Sequence, residues 1–544
     1  MPAAHHQQRA GSDRRAGIAR RLLVLVVVAL AGCAGLPPGA DYPRLASTAF
    51  DQPGKTRLGQ AFAAAASAHG TESGLRLIPV GQDGFALRMQ LIAAAQQSLD
   101  LQYFIFHGDN TGNLLTAAIL DSADRGVRVR ILVDDGETLA GDERILALAA
   151  HPLIQVRIFN PFAYRGHLDA LRAIEYGLNF ERLDYRMHNK LLVADDATAV
   201  IGGRNLSDPY FQVNPESQFA DDDVVAVGPV VSRLSGVFDE FWNNGLSIPA
   251  EALSGGRVPA DELGPVRARL DAARQAWRQE GADYMGKVAS GEPLAGLLDG
   301  TLPLVWAGVT VIYDSPDKRA VAEGRMVGRL MHRAVARAAE ATQSELLMVT
   351  PYLIPGKEGM QIFSDLHRRN VRVRILTTSL EANTVVLAQA GYMRYRVPLL
   401  QQGVELYEIR SLLGNVRGSG ETVAMARHGN YSLHAKMFVF DRRQTFIGSM
   451  NFDQRSMHLN TEIGLLIDSP VLAQQVATRF DAMVRLENAY TVVLRGDPGG
   501  PPERLAWRTR VDGVDIEYDL EPQRQWGQRL GATLLSWLPI DDEL

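Results

Sequence analysis

The chain has 544 residues, of which 46% are hydrophobic and 22% charged, enough for two or three packed domains and outside the composition of a disordered protein. Its single cysteine excludes an internal disulfide, so stability has to come from packing. The formal net charge is −6; without residues 1–32, which hold five arginines and one aspartate, it is −10, and a body of that sign argues against nucleic acid, whose binding calls for a basic surface.

The amino terminus reads as an export signal. Arg14, Arg15, Arg20 and Arg21 precede the apolar run Leu22 to Ala31, which is too short for an ordinary transmembrane helix. Leu30-Ala31-Gly32-Cys33 resembles a bacterial lipobox, which implies cleavage after residue 32, diacylation of Cys33, and a lipid-anchored protein on the exported side of the cell envelope, periplasmic in a Gram-negative cell. Residues 33–75 suit a tether, with Pro37-Pro38-Gly39 near their start.

From there the chain is duplicated. Ala95-Gln96-Gln97-Ser98 returns as Ala341-Thr342-Gln343-Ser344, Val127-Arg128-Val129-Arg130-Ile131-Leu132 as Val371-Arg372-Val373-Arg374-Ile375-Leu376, and His188-Asn189-Lys190 as His434-Ala435-Lys436. In each copy an apolar strand-like run, Leu99 to Phe106 or Leu346 to Leu353, is followed by a helix-compatible stretch and then the Val-Arg-Val-Arg strand. That order predicts a parallel crossover, and alternating Val and Arg predicts a strand with one polar side. After each His-x-Lys come two β-rich runs, Leu191 to Ala194 with Ala199 to Ile201, and Met437 to Phe440 with Thr445 to Ile447, turning at Asp195-Asp196 and at Asp441-Arg442-Arg443. The expected fold class is α/β: two tandem units at 76–245 and 321–495, each a mixed sheet flanked by helices, a connector at 246–320 with a helix near Glu262 to Glu280, and a tail at 496–544.

The chemistry-bearing pattern is His-x-Lys-x4-Asp, met by His188, Lys190 and Asp195 and again by His434, Lys436 and Asp441. Only six of the 56 basic residues are lysine, so two copies at equivalent places in a repeat are a specific signal. Each motif runs into a small-residue turn and an asparagine, Gly202-Gly203-Arg204-Asn205 and Gly448-Ser449-Met450-Asn451. Displacing an alcohol from a phosphodiester takes a nucleophile and a proton for the leaving oxygen, and two imidazoles divide that work where one cannot. Lys190 and Lys436, two residues beyond their histidines on extended chain, share a side with them and suit non-bridging phosphate oxygens. Asn205 and Asn451 have amide hydrogens for the same oxygens, with Gly203 and Ser449 beside them. Asp195 and Asp441 join the motif but also sit where a strand must reverse, which suits a turn role better than chemistry.

These two sets of residues resemble the phospholipase D superfamily over about residues 80–490, as does the alignment of Val227-Gly228-Pro229 with Asp468-Ser469-Pro470, which sets Asp221 opposite Glu462. The resemblance implies two domains related by a pseudo-twofold axis with the active site between them. It also implies a phosphohistidine on His188, His434 as acid and base, Asp221 and Glu462 orienting the imidazoles, and no metal or other cofactor. Pro351-Tyr352-Leu353-Ile354-Pro355 and Ala390-Gly391-Tyr392 are similar to the cardiolipin synthase C branch, which implies phospholipid substrates and transfer of a phosphatidyl group; a hydrolytic phospholipase D and an exported nuclease remain as alternatives. Finally, Trp526, Leu530, Leu534 and Trp537 share a helical face between Pro522 and Pro539, which suits either an interfacial membrane helix or one docked on the protein's own core.

Overall fold

In the computed structural model the described residues are 37–536, apart from 137–142, 167, 214–217, 257, 281–285, 287, 289, 384, 413–430, 497–503 and 524–526. Cys33 and the lipobox lie outside them, as do Trp526 and Trp537.

The β-branched runs of the first half form β1 (Ser73–Ile78), β2 (Ser98–Tyr103), β3 (Arg128–Asp134), β4 (Ile154–Phe159), β5 (Leu191–Ala194), β6 (Thr198–Gly202), β7 (Gln218–Ala220), β8 (Asp223–Val227) and β9 (Ser247–Pro249). The second half supplies β10 (Val305–Tyr313), β11 (Glu345–Val349), β12 (Arg372–Thr378), β13 (Glu405–Ile409), β14 (Tyr431–Leu433), β15 (Met437–Phe440), β16 (Gln444–Gly448), β17 (Ile463–Asp468), β18 (Ala489–Arg495), β19 (Arg504–Val511) and β20 (Val514–Tyr518). The first sheet runs β9-β4-β3-β2-β5-β6-β8-β1, with β2, β3 and β4 parallel and the other pairings antiparallel. The second runs β20-β19-β18-β13-β12-β11-β15-β16-β17-β10, with β11, β12 and β13 parallel. The duplicated mixed sheet is therefore the one the repeats predict, and both hairpin turns hold their first two residues, Asp195-Asp196 and Asp441-Arg442, at positive φ.

Each sheet has an outer and an inner face because its strands alternate. Leu192 and Val200 pack outward with the helices Gly81–Ala94 and Asn110–Asp124, while Val193, Ala199 and Ile201 pack inward. The inner faces of both halves, with helices Pro229–Trp242 and Pro470–Met483, form one shared core. The Val-Arg strands put their polar side against those same helices. Arg130 is buried on Asp100 and Asp239, 2.7 and 2.8 Å away, with its guanidinium over Phe238, and Arg374 meets Asp481 at 2.6 Å over Phe480. Burial of an arginine is tolerated there because its charge is matched by a carboxylate.

Three boundaries are corrected. The expected tether holds helix Arg57–His69 and the start of β1. The connector contains, besides helix Leu263–Glu280, the strand β10, whose first residues pair with β1 and whose remainder pairs with β17, joining the two sheets. The tail adds β19 and β20 to the second sheet before a short helix, Gln528–Leu535. Among the described residues no helix is long and apolar enough to cross a membrane.

Candidate active site

The two histidines are placed by backbone pairing across the halves. The His434 N–H donates to Ala220 O at 2.8 Å, where β14 pairs in parallel with β7, and the His188 N–H donates to Thr461 O at 2.9 Å, beside the Met187–Thr461 bridge. The residue after each accepting carbonyl is acidic, Asp221 or Glu462, so each histidine meets the carboxylate of the opposite half. Nδ1 of His434 lies 2.6 Å from Asp221 Oδ2, and Nδ1 of His188 lies 2.9 and 3.0 Å from the Glu462 oxygens. A carboxylate beside each Nδ1 favours the tautomer in which that nitrogen donates, which leaves each Nε2 for chemistry. Phe104 meets the His188 ring edge-on at 5.1 Å, and Tyr210 does the same to His434 at 5.0 Å, which fixes the ring planes.

The histidines line one cavity of about 600 Å³ together with Phe104, Asn205, Tyr352 and Asn451. Lys190 and Lys436 are fully buried beside it, each donating Nζ–H to the carbonyl of its own histidine, and Lys436 Nζ also lies 3.2 Å from His434 Nε2. Two buried lysines and two carboxylates thus converge on two imidazoles.

The carboxylates differ in what supports them. Gly203 leaves room for Asp221, since a Cβ on it would lie 2.1 Å from Asp221 Oδ1, and Arg204 donates to the Asp221 carbonyl. Glu462 accepts from the Ser449 and Ser456 hydroxyls, the latter at 2.8 Å, and its N–H donates to Asp314, which is paired with the buried Lys318 at 2.9 Å. Burial works to raise the Asp221 carboxyl, but His434, Lys436 and Arg204 hold it at about 2. Burial prevails for Glu462, which is pushed up to about 7 despite Lys190, Ser449 and Ser456. Burial, with Lys190 and Lys436 adding, pushes His188 well below 6.5. Burial and Lys436 bring His434 down to about 3 against the pull of Asp221. Burial also lowers Lys436 to about 8 against Asp221 and Glu462, and lowers Lys190 well below 10.5.

The structure thus brings together His188, Lys190, Asp221, His434, Lys436 and Glu462. Four other residues of the two motif sets stand elsewhere, Asp195 and Asp441 in the turn role their position favours. Asp195 and Asp441 lie beyond the far ends of β5 and β15, where they accept from the backbone N–H groups of Gln96, Gln97 and Ser98 and of Gln343, Ser344 and Glu345; they fasten the start of β2 and β11 and do not face the cavity. Gly203 and Ser449 lie against the carboxylates and are not among the side chains that line the cavity. Asn205 reaches the cavity with its amide committed, accepting from the Ile105 N–H at 3.1 Å and donating to the Tyr210 hydroxyl at 2.9 Å, whereas the buried Asn451 oxygen has no partner among the described residues. Sequence reasoning missed Ser456 and the Asp314–Lys318 pair. Lysine scarcity was the available signal for Lys318, since it is one of only six.

Fold and site define a phosphodiester-transferring enzyme whose single active centre is built by two halves. Comparison with known proteins makes this specific: the family model described as "Cardiolipin synthase, PLD-like domain" matches residues 89–242 and 335–484, and the chain belongs to that phospholipase D-like family. It is 36% identical over 493 residues to cardiolipin synthase C of Escherichia coli (strain K12), covering 89% of this chain and 99% of that protein. It is 22% identical over 421 residues to the major cardiolipin synthase of Bacillus subtilis (strain 168), covering 77% and 70% of the two chains. Among solved structures, the phosphatidylserine synthase of Haemophilus influenzae Rd KW20 shares the fold, with a TM-score of 0.51, 13% identity, and coverage of 79% of this chain and 91% of that one.

Proposed function

We propose that the protein makes cardiolipin or a closely related phospholipid by transferring a phosphatidyl group through a phosphohistidine on His188. The observation that carries the chemistry is the crossed pairing of each histidine with the carboxylate of the opposite half at one cavity. The lipid substrate is supported by the 36% identity to a cardiolipin synthase along nearly its whole length.

In the first step Nε2 of His188, its Nδ1–H held by ionised Glu462, attacks phosphorus, and the bond to the departing alcohol oxygen breaks. His434 gives that oxygen its proton. In the free site burial and Lys436 hold His434 neutral; an anionic phosphodiester beside Lys436 offsets that charge, and Asp221 favours the imidazolium, so the proton is taken up with the substrate. Lys190 and Lys436 neutralise the non-bridging oxygens as charge builds on them. In the second step His434 takes the proton of the acceptor hydroxyl, the acceptor oxygen attacks phosphorus, and the phosphorus–nitrogen bond breaks to return His188.

Diacylation at Cys33 would hold the enzyme on the exported face of a membrane, since two acyl chains anchor stably where one does not. A second contact is the helix Gln528–Leu535, which packs against the helix Val386–Met393 and leaves Leu530 and Leu534 exposed. The reading is tested by incubating the purified protein with vesicles of defined phospholipids and identifying products by mass spectrometry. A new species with two phosphatidyl groups supports it. Phosphatidic acid alone would make the enzyme a hydrolase, and cleavage of single-stranded DNA with untouched lipids would make it a nuclease.

A further inference from the structure

The helix Asp169–Leu178 is amphipathic in the reverse sense to an ordinary surface helix. Leu171, Ile174 and Leu178 recur at spacings of three and four and share one face, yet they are 44%, 54% and 49% exposed, and Leu168 and Phe180, just outside the two ends, are exposed as well. The polar face is the one fastened to the body. Arg172 donates to the Asp135 carbonyl and lies 4.2 Å over the Phe162 ring. Glu175 accepts from the Ala163 and Tyr164 N–H groups at 2.6 and 2.8 Å, and the Tyr176 hydroxyl donates to Asp184 at 2.6 Å. Asp184 in turn binds Arg455 of the second half at 2.6 Å.

This helix stands at the cavity. Tyr176 lines the same space as His188 and His434, and so does Val385, which with Val386 and Leu387 forms another exposed apolar group on the opposite half. Three exposed apolar side chains on one helical face, with Leu168 and Phe180 exposed at its ends and a second exposed group across the opening, exceed the scattered single residues of an ordinary surface. A protein seated on both groups would cover the opening; a bilayer seated on them would present its lipids to it.

We propose that the helix Asp169–Leu178, with Leu168 and Phe180, lies in the headgroup–acyl boundary of a phospholipid bilayer and seats the cavity mouth on it. The polar tethers hold the helix while its apolar stripe enters the membrane, as an interfacial helix does. The role rests on phospholipid being the substrate.

The test places a polarity-sensitive fluorophore at Ile174→Cys in the full chain carrying Cys33→Ser, which leaves one thiol. With phospholipid vesicles the emission should shift to the blue and be quenched by lipids carrying a spin label on the acyl chain. In parallel, the exposed triple variant Leu171→Ser, Ile174→Ser, Leu178→Ser should lose at least tenfold in turnover on vesicles while staying within twofold on a soluble short-chain phospholipid. A label that is already blue-shifted without lipid and is not quenched by it, with dimers in sedimentation, would assign the face to a second copy and overturn the proposal. Equal loss on both substrates would overturn it too. If no phospholipid is turned over but the label is quenched, it is the enzymatic reading that fails.

Discussion

Asp221 of the first half holds the Nδ1 of His434 in the second, 2.6 Å away, closer than Lys436 of the second half's own motif, whose Nζ lies 3.0 Å from the same nitrogen. Glu462 returns the relation to His188. Each imidazole of the cavity is therefore held by a carboxylate of the opposite half. Asp221→Asn and Glu462→Gln preserve shape while removing the charge that fixes the tautomer, so each should lower kcat by about 10²–10⁴-fold with little change in KM. Stopped-flow detection of the released alcohol should separate them. Glu462→Gln should slow formation of the covalent intermediate by weakening the nucleophile. Asp221→Asn should lower both release and resolution, because His434 serves in each.

The two motif aspartates should behave in the opposite way. Asp195 is buried and accepts three backbone N–H groups, whereas the Asp441 turn is more open to water. Asp195→Asn sets an amide against those donors and should cost about 1–3 kcal/mol in urea unfolding, with kcat per folded molecule unchanged. Asp441→Asn should cost less. Burial favours its neutral form, but Ser344 and the backbone N–H groups of Gln343, Ser344 and Glu345 hold its carboxyl below 3.8 in the fold. The stability it contributes is therefore present above pH 3.8 and is lost as pH falls through the lower, folded value, so wild type and Asp441→Asn should converge only in acid.

Strands, hairpins and the twin histidine motifs were legible because they are local or repeated: alternation places β2, β3, β5 and β6, and the repeat places their partners. The crossed pairing was not. Alignment makes Asp221 and Glu462 equivalent, but equivalence within a repeat is silent on which half's histidine each one meets, since that depends on how the halves face each other. The strand β10 was read as connector because its partners β1 and β17 lie far away in the chain in both directions. Ser449 was read as a substrate contact from its nearness to Asn451, when its hydroxyl turns to Glu462. The helix Asp169–Leu178 shows the limit of periodicity, since a 3.6-residue stripe gives a face but not whether that face meets protein or lipid.

The pH profile of kcat, read with substrate bound and His434 already protonated, should be a narrow bell. Glu462 must be ionised to accept Nδ1–H from His188 and free Nε2, and burial has raised its pKa to about 7, so activity should rise through that value. Lys436 must be charged to hold phosphate, and burial has lowered its pKa to about 8, so activity should fall as pH passes it. Lys436→Arg keeps its charge at every accessible pH. At whatever lower rate, its alkaline limb should move upward by a unit or more, and an unmoved limb would acquit Lys436 of setting it.

Mass spectrometry of the protein isolated from membranes checks the lipobox. The mature chain should begin at Cys33 carrying two acyl groups on a glyceryl thioether, and Cys33→Ser should leave it without them. An intact Met1 or an unmodified cysteine would remove the anchor from the account.

The order of the histidines is open to a direct trap. The proposed mechanism uses His434 twice, to protonate a poor leaving group and then to deprotonate the acceptor, but an activated aryl phosphodiester leaves without a proton. With such a substrate His434→Asn should still release aryl alcohol in a burst of about one equivalent per site and then stall, because no base is left to activate the acceptor. Neutral His188 is competent to attack at ordinary pH, since burial and the lysines keep its pKa low. Stopping the reaction by denaturation in alkali, where phosphohistidine persists, and mapping the labelled peptide should then place the phosphoryl group on His188. His188→Asn should give neither burst nor label with the same substrate. Label on the peptide containing His434 in the wild type, or a burst that survives His188→Asn, would exchange the two roles and with them the partners Glu462 and Asp221.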